Sequence, residues 1–284
     1  MNLLEAVLLG VVQGLTEFLP ISSTAHLTLA GRLLGLIDPR HPEAWTQFIA
    51  VMQLGTIAAV LVYFWRDIFT MLKSLVRDAT SKGIGTGIRR YAPESLLALS
   101  IALGTIPVAV IGFGLKHIIE GALTKTIPVL AASLVTMAVF LWIAERVSRR
   151  TKSLDQVTWF DALLIGCAQA LALIPGASRS GTTMTAALFL GLTREAAARF
   201  SFLLSIPAVL ASGLFEMVRI DKSVFELGTG NLVVATIVSG LAGYAAIDWL
   251  LRYLRTNSTM VFVWYRLALG LALFLMLLLG AIQP

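Results

Sequence analysis

Long apolar runs separated by short polar breaks organise this chain. Runs and breakers together predict ten helical segments, near 3–19, 24–37, 43–65, 92–115, 124–144, 158–174, 182–192, 195–219, 231–254 and 258–282. The uninterrupted stretches 44–65, 95–115 and 126–144 come close to the roughly 20 apolar residues that span a bilayer. Six segments read as full crossings. The other four, the pairs within 3–37 and 158–192, are short or broken by Pro, Ser, Gly or charge. Irregular backbone at membrane depth is tolerated only where protein or a polar cavity surrounds it, so these pairs are predicted to be re-entrant helical hairpins. The expected fold is an all-α polytopic membrane protein of about six transmembrane helices plus two re-entrant hairpins.

An internal repeat supports that division. Gly10, Gln13 and Leu15 recur as Gly166, Gln169 and Leu171; Pro20-x-x-Ser23 recurs as Pro175-x-x-Ser178; Glu43, Ala44 and Phe48 recur as Glu195, Ala196 and Phe200. The chain divides into repeat one, 1–157, and repeat two, 158–284. Each holds one hairpin and three crossings. Because three is odd, the repeats are expected to have inverted topology, which brings broken-helix loops together near the midplane.

Composition narrows the class. Hydrophobic residues make up 57% and charged residues 13% of the chain, against roughly 25% charged in a soluble domain. A soluble two-domain protein is excluded. The net charge of +6 would suggest nucleic acid if it formed a surface, but the basic residues lie in loops between spans, so no nucleic-acid partner is expected. Residues 1–4 lack Lys or Arg, Glu5 follows, and no small-residue cleavage pattern is present, so the first segment is read as part of the mature protein. Cys167 is the single cysteine; it allows no intramolecular disulfide and reads as a small buried apolar residue.

Orientation follows from loop charge. Arg66, Lys73, Arg77, Lys82, Arg89 and Arg90 in 66–91, with Arg146, Arg149, Arg150 and Lys152 in 145–157, mark cytoplasmic connections. The alternate connections, flanked by Lys116 and Lys125 or holding Arg219 and Lys222, are poorer in basic residues. Both termini then lie outside. The first hairpin enters from the outer face and the second from the cytoplasmic face.

Chemistry concentrates in the two broken hairpins. Between Gly14 and His26 the chain places Glu17, Ser22, Ser23, Thr24 and His26 inside an apolar stretch around Pro20, and intramembrane ionisable groups are functional candidates by default. Ser22, Ser23 and Thr24 are favoured N-caps for the second half-helix, and a helix N-terminus suits a phosphate. The second loop runs Pro175-Gly176-Ala177-Ser178-Arg179-Ser180-Gly181-Thr182-Thr183. Gly176 and Gly181 allow close backbone approach to an anion, and Arg179 offers a planar fork for phosphoryl oxygens between the Ser178 and Ser180 hydroxyls. Either loop alone could be a simple turn with a snorkelling Arg. Two placed symmetrically in a duplication point to a phosphate site.

Other polar residues carry less. Gln13 and Gln169 either orient the loops or glue helices together, and Gln53 reads as a packing residue in mid-span. Arg266 lies under two turns into the last span and is expected to snorkel to the cytoplasmic side. His41 and His117 fall in connections and are expected to be solvated.

These two loops resemble the bacterial undecaprenyl-diphosphate phosphatase family, also called bacitracin resistance proteins. The family's Glu/Gln-x-x-x-Glu motif matches Gln13 and Glu17, its Pro-Gly-x-Ser-Arg-Ser-x-x-Thr motif matches Pro175 through Thr183, and its histidine matches His26. The resemblance covers nearly the whole chain. It implies hydrolysis of undecaprenyl diphosphate to undecaprenyl phosphate and phosphate, recycling the lipid carrier of cell-wall synthesis, with a divalent cation, Mg or Ca. On that resemblance Ser23, His26, Glu17 and Arg179 are catalytic candidates. Gln13, Ser22, Thr24, Gly176, Ser178, Ser180 and Thr183 are substrate-binding candidates, and Glu17 is the candidate metal ligand. Two divisions of labour stay open: Ser23 attacks with His26, three residues on, as base, or His26 is itself the nucleophile. Position 13 is Gln here, so only one of the motif pair is a carboxylate; the cation is expected to be held by Glu17, the diphosphate and water.

A transporter or lipid flippase is the rival reading, because secondary transporters also show inverted repeats with broken helices. The Ser23 and His26 spacing opposite the Arg179 loop favours the enzyme. The expected setting is the bacterial plasma (inner) membrane, multi-pass, with the site facing the periplasmic or outer side; homodimerisation is an open partner state.

Overall fold

A computed structural model describes residues 1–37, 42–82, 90–114, 126–218 and 228–282. His41, Arg89, Lys116, His117, Lys125, Arg219 and Lys222 lie outside the described residues. The described residues form eleven α-helices: α1 Leu3–Phe18, α2 Ser23–Leu33, α3 Pro42–Tyr63, α4 Trp65–Lys82, α5 Pro93–Gly114, α6 Ile127–Val147, α7 Trp159–Ala170, α8 Arg179–Phe189, α9 Arg194–Val218, α10 Thr229–Thr256 and α11 Met260–Leu278. Six of them, α3, α5, α6, α9, α10 and α11, are long and apolar enough to cross a membrane. The protein is an all-α polytopic membrane protein.

The helix absent from the sequence reading is α4, which occupies much of the 66–91 connection. Its mixed composition hid it: one face is buried at Met71, Ser74 and Asp78, while Trp65, Phe69, Leu72 and Val76 are exposed beside Arg66, Lys73 and Arg77. A stretch this polar fails a test for spans yet has a strong helical period.

The short helix pairs α1–α2 and α7–α8 share one local geometry. Ser22 and Ser178 both sit at positive φ, 76° and 72°, and each caps an 11-residue helix by accepting from the backbone N–H three residues on, Ala25 at 3.3 Å and Gly181 at 3.1 Å. Both helices end on a Gly-Leu pair at Gly35 and Gly191, φ 65° and 87°, with matching bonds from Leu36 N to Gly31 O and from Leu192 N to Ala187 O. This geometry shifts the Pro-x-x-Ser correspondence by one residue. Ser22, not Ser23, is the counterpart of Ser178, so Ser23 corresponds to Arg179 and Pro20 to Gly176. Proline spacing misleads here because Pro175 lies one place earlier in its loop than Pro20 does.

Packing crosses between the halves. α1 packs on α10 and α7 on α5, while α3 meets α10 and α9 meets α5. Apolar lipid supplies no hydrophobic drive for helix association, so close backbone approach through small residues matters. A Cβ on Gly10 would meet Ala235 O at 2.6 Å, and one on Gly14 would meet Ser239 O at 2.6 Å. On the other side Gly166 is closed against the Gly104 carbonyl.

Candidate active site

The two broken helix pairs converge on one carboxylate. Glu17 lies in the last turn of α1 and is 6% exposed. Its Oε2 accepts from Ser23 Oγ at 2.7 Å and Gln13 Nε2 at 3.1 Å, and its Oε1 pairs with the Arg179 guanidinium. Ser23 and Arg179 are the corresponding first residues of α2 and α8. One hydroxyl and one cation therefore reach the same carboxylate from opposite halves of the chain. Arg179 Nη1 is buried without a hydrogen-bond partner. A buried guanidinium nitrogen in that condition calls for a further acceptor, and a phosphoryl oxygen fits it.

The second loop also grips the first through Ser180, whose Oγ donates to Leu19 O at 3.1 Å and Glu17 O at 3.3 Å and lies 3.3 Å from Ser178 Oγ. Ser180 thus holds the end of α1. Thr183 is fully buried; its Oγ1 donates to Arg179 O at 2.7 Å and lies 2.6 Å from Ser201 Oγ. It anchors α8 to α9 and stands behind the site. Gly176 occupies φ 90°, where a Cβ would come within 2.8 Å of Leu130 O, so this position carries a backbone turn. Thr24 is half-buried beside Ser23.

His26 stands apart from Ser23. Its Nδ1 lies 2.7 Å from Ser22 O and its Nε2 2.6 Å from Tyr265 Oη, with the two rings stacked 5.5 Å apart. A carbonyl can only accept, so Nδ1 carries the proton and Nε2 accepts from the tyrosine. The Ser23 hydroxyl is directed to Glu17.

Arg266 overturns the snorkelling expectation. It is 0% exposed and donates to Pro20 O at 3.1 Å, Gly176 O at 3.1 Å, Ala177 O at 2.9 Å, Leu134 O at 3.3 Å and Ser133 O at 3.4 Å. Pro20 and Gly176 are corresponding residues, so one guanidinium bridges equivalent carbonyls of the two loops. The rigid fork of Arg suits this spanning role, and the loop carbonyls freed by the two broken helices explain its burial. Gly181 leaves room for it: a Cβ there would meet Arg266 Nη1 at 2.7 Å. The sequence signal was the charge inside an apolar span; which carbonyls surrounded it was not readable.

The remaining candidates fall outside the cluster. Gln169 is 1% exposed with both side-chain polar atoms unpartnered, and Gln53 is half-buried on α3. Cys167 is exposed on α7, contrary to its expected burial. Among the described residues no group of three or more His, Cys, Asp or Glu side chains could hold a metal ion. Glu17 has both oxygens engaged, one by a cation, so these side chains do not form a cage for Mg or Ca.

A hydroxyl, a carboxylate and a buried guanidinium gather between the two broken helix pairs of a polytopic helical membrane protein, an arrangement suited to holding a phosphoryl group. Residues 6–272 match the family model for the bacitracin resistance protein BacA. The chain belongs to that family. It is similar to the undecaprenyl-diphosphatase of Syntrophobacter fumaroxidans, 51% identical over 276 residues that cover 96% of each chain. The undecaprenyl-diphosphatase of Myxococcus xanthus is 46% identical, over all of this chain and 92% of its own, and that of Chlorobium chlorochromatii is 45% identical over the full length of both.

Proposed function

We propose that this protein hydrolyses undecaprenyl diphosphate to undecaprenyl phosphate and inorganic phosphate, a reading supported by the name undecaprenyl-diphosphatase that its relatives carry. The observation that carries the mechanism is the meeting of Ser23 and Arg179 on Glu17. As the terminal phosphoryl group enters, Arg179 turns from Glu17 to its oxygens and stabilises charge in the transition state. Glu17, released from its ion pair, takes the Ser23 proton. The Oγ–P bond forms, the bridging P–O bond breaks, and undecaprenyl phosphate leaves with that proton. Water then attacks the phosphoserine: Glu17 takes a proton from the water and returns it to Ser23 Oγ, freeing phosphate. A divalent cation, Mg or Ca, would be carried by the diphosphate oxygens and water.

The second reading, His26 as nucleophile, rests on its tautomer, which puts the lone pair on Nε2, where the Tyr265 hydroxyl would have to give way to the phosphoryl group. Trapping with substrate labelled in the terminal phosphate separates the two. Acid-stable label lost in Ser23→Ala supports Ser23; acid-labile label lost in His26→Ala replaces it. No phosphate release by purified protein in detergent with Mg or Ca present sinks the hydrolase itself.

The two halves are proposed to be inverted repeats, which accounts for loops with one geometry arriving from opposite directions. The proposed setting is the bacterial inner membrane, with the basic loops cytoplasmic and the first hairpin opening outward.

A further inference from the structure

Helix α4 joins the end of α3 to the approach to α5, and it packs against the first turns of α5 and the first half of α9. Asp67 pairs with Arg199, early in α9, at 3.1 Å. Asp78 accepts from Ala92 N at 2.6 Å and Ser95 Oγ at 2.9 Å at the start of α5. At the opposite end of α4, Arg66, Asp67, Thr70 and Met71 share a cavity wall with Glu94 and Leu97. From Arg66 to Asp78 the helix rises about 18 Å at 1.5 Å per residue, yet both ends meet the opening turns of α5. A helix alongside α5 would find its far partners about a dozen positions further along. α4 therefore lies beside the opening turns of α5 and the first half of α9, with its opposite face turned away from the protein.

Its three faces differ. Asp67 and Asp78, its two acidic residues, are engaged by the protein side, with Asp78 0% exposed. Trp65, Phe69, Leu72 and Val76, spaced i, i+4, i+7 and i+11, form an exposed apolar stripe at 57%, 61%, 56% and 64% exposure. Arg66, Lys73 and Arg77 form a neighbouring exposed stripe. Arg66 lies over the Trp65 ring at 5.3 Å, and Arg77 Nε approaches Asp78 Oδ1 at 3.6 Å. With Asp78 turned inward and Asp67, though 42% exposed at its side chain, neutralised by Arg199, the outward bases leave a surface complementary to anions, and the apolar stripe beside it fits the acyl boundary.

We infer that α4 is an interfacial helix that binds anionic phospholipid headgroups through Arg66, Lys73 and Arg77 while Trp65, Phe69, Leu72 and Val76 enter the acyl layer. Each basic residue near an anionic membrane surface contributes roughly a fivefold preference. The full-length protein is reconstituted in phosphatidylcholine vesicles containing brominated phosphatidylglycerol or brominated phosphatidylcholine, and the Trp65 signal is taken as the difference between wild type and Trp65→Phe. The expected result is quenching by both lipids with phosphatidylglycerol preferred, the preference disappearing in Arg66→Gln/Lys73→Gln/Arg77→Gln and falling roughly fivefold in Lys73→Gln alone. Turnover in detergent stays at the wild-type level in both variants, which verifies their fold. Quenching by aqueous acrylamide but not by brominated lipid places the stripe in water or against another protein and overturns the proposal. Equal quenching by the two lipids in wild type, or an unchanged preference in Lys73→Gln, overturns the headgroup assignment.

Discussion

Replacing Arg266 with Ala tests whether one buried guanidinium holds the two loops together. Its three shortest bonds, to Ala177 O at 2.9 Å and to Pro20 O and Gly176 O at 3.1 Å, would be lost along with two longer ones. A buried acceptor left without a donor costs about 1–3 kcal/mol, and part of the sum is offset because the variant no longer buries a charge. A net loss of about 3–5 kcal/mol results, close to that for breaking a buried ion pair. At about 2–4 °C per kcal/mol, thermal unfolding in detergent should shift down by roughly 10 °C. Ser22 and Ser178 sit at positive φ beside the clamped carbonyls, a conformation that costs of order 1–3 kcal/mol each and persists only when neighbours impose it. Without the clamp these loops relax, Ser23 and Arg179 separate from Glu17, and kcat falls. Arg266→Lys keeps the charge but offers one point instead of a fork, so it should recover part of the thermal loss and little of the turnover. The assay is phosphate release alongside a melting curve for each variant. An Ala variant that melts and turns over like wild type would refute the clamp.

Three further variants probe neighbouring contacts. Glu17→Gln keeps hydrogen-bonding partners for Ser23 and Gln13 but leaves Arg179 without its counter-charge and the serine without a base; turnover should fall by about 10²–10⁴-fold, with the variant still purifying as folded protein. Tyr265→Phe keeps the ring stack and removes the hydroxyl 2.6 Å from His26 Nε2; a loss of about 1 kcal/mol, roughly fivefold in kcat/KM, is expected, and unchanged kinetics would show that His26 needs no such restraint. Gly181→Ala drives a methyl against Arg266 Nη1 at 2.7 Å; it should cost about 1–3 kcal/mol in thermal stability and add little in an Arg266→Ala background, where the obstruction is gone.

The spans and the two broken hairpins were legible along the chain because each rests on local physics. An apolar run of about 20 residues needs lipid or a core whatever its neighbours are, and Pro, Gly and Ser stop a helix by their own stereochemistry. The residue types of the site were legible for the same reason: Glu17, Ser23, His26 and Arg179 are costly inside an apolar stretch, so each announces itself. α4 escaped because its apolar stripe, basic stripe and protein-facing side average to an unremarkable composition, and only their separation around the helix distinguishes them. The register between hairpins escaped because a proline marks a turn without fixing its phase, whereas the positive-φ serines and the terminal Gly35 and Gly191 fix it to the residue.

Partnership is what only the tertiary structure decided. Ser23 pairs with Glu17 and not with His26, His26 with Tyr265, and Arg266 with carbonyls of both loops and not with the interface. These contacts join residues as far as 246 positions apart. Helical spacing constrains neighbours within a turn or two, but which side chain fills a gap between two loops depends on how four helices from both halves of the chain dock. The sequence by itself determined that polar groups would enter the membrane at two places; docking decided that they meet on a single carboxylate.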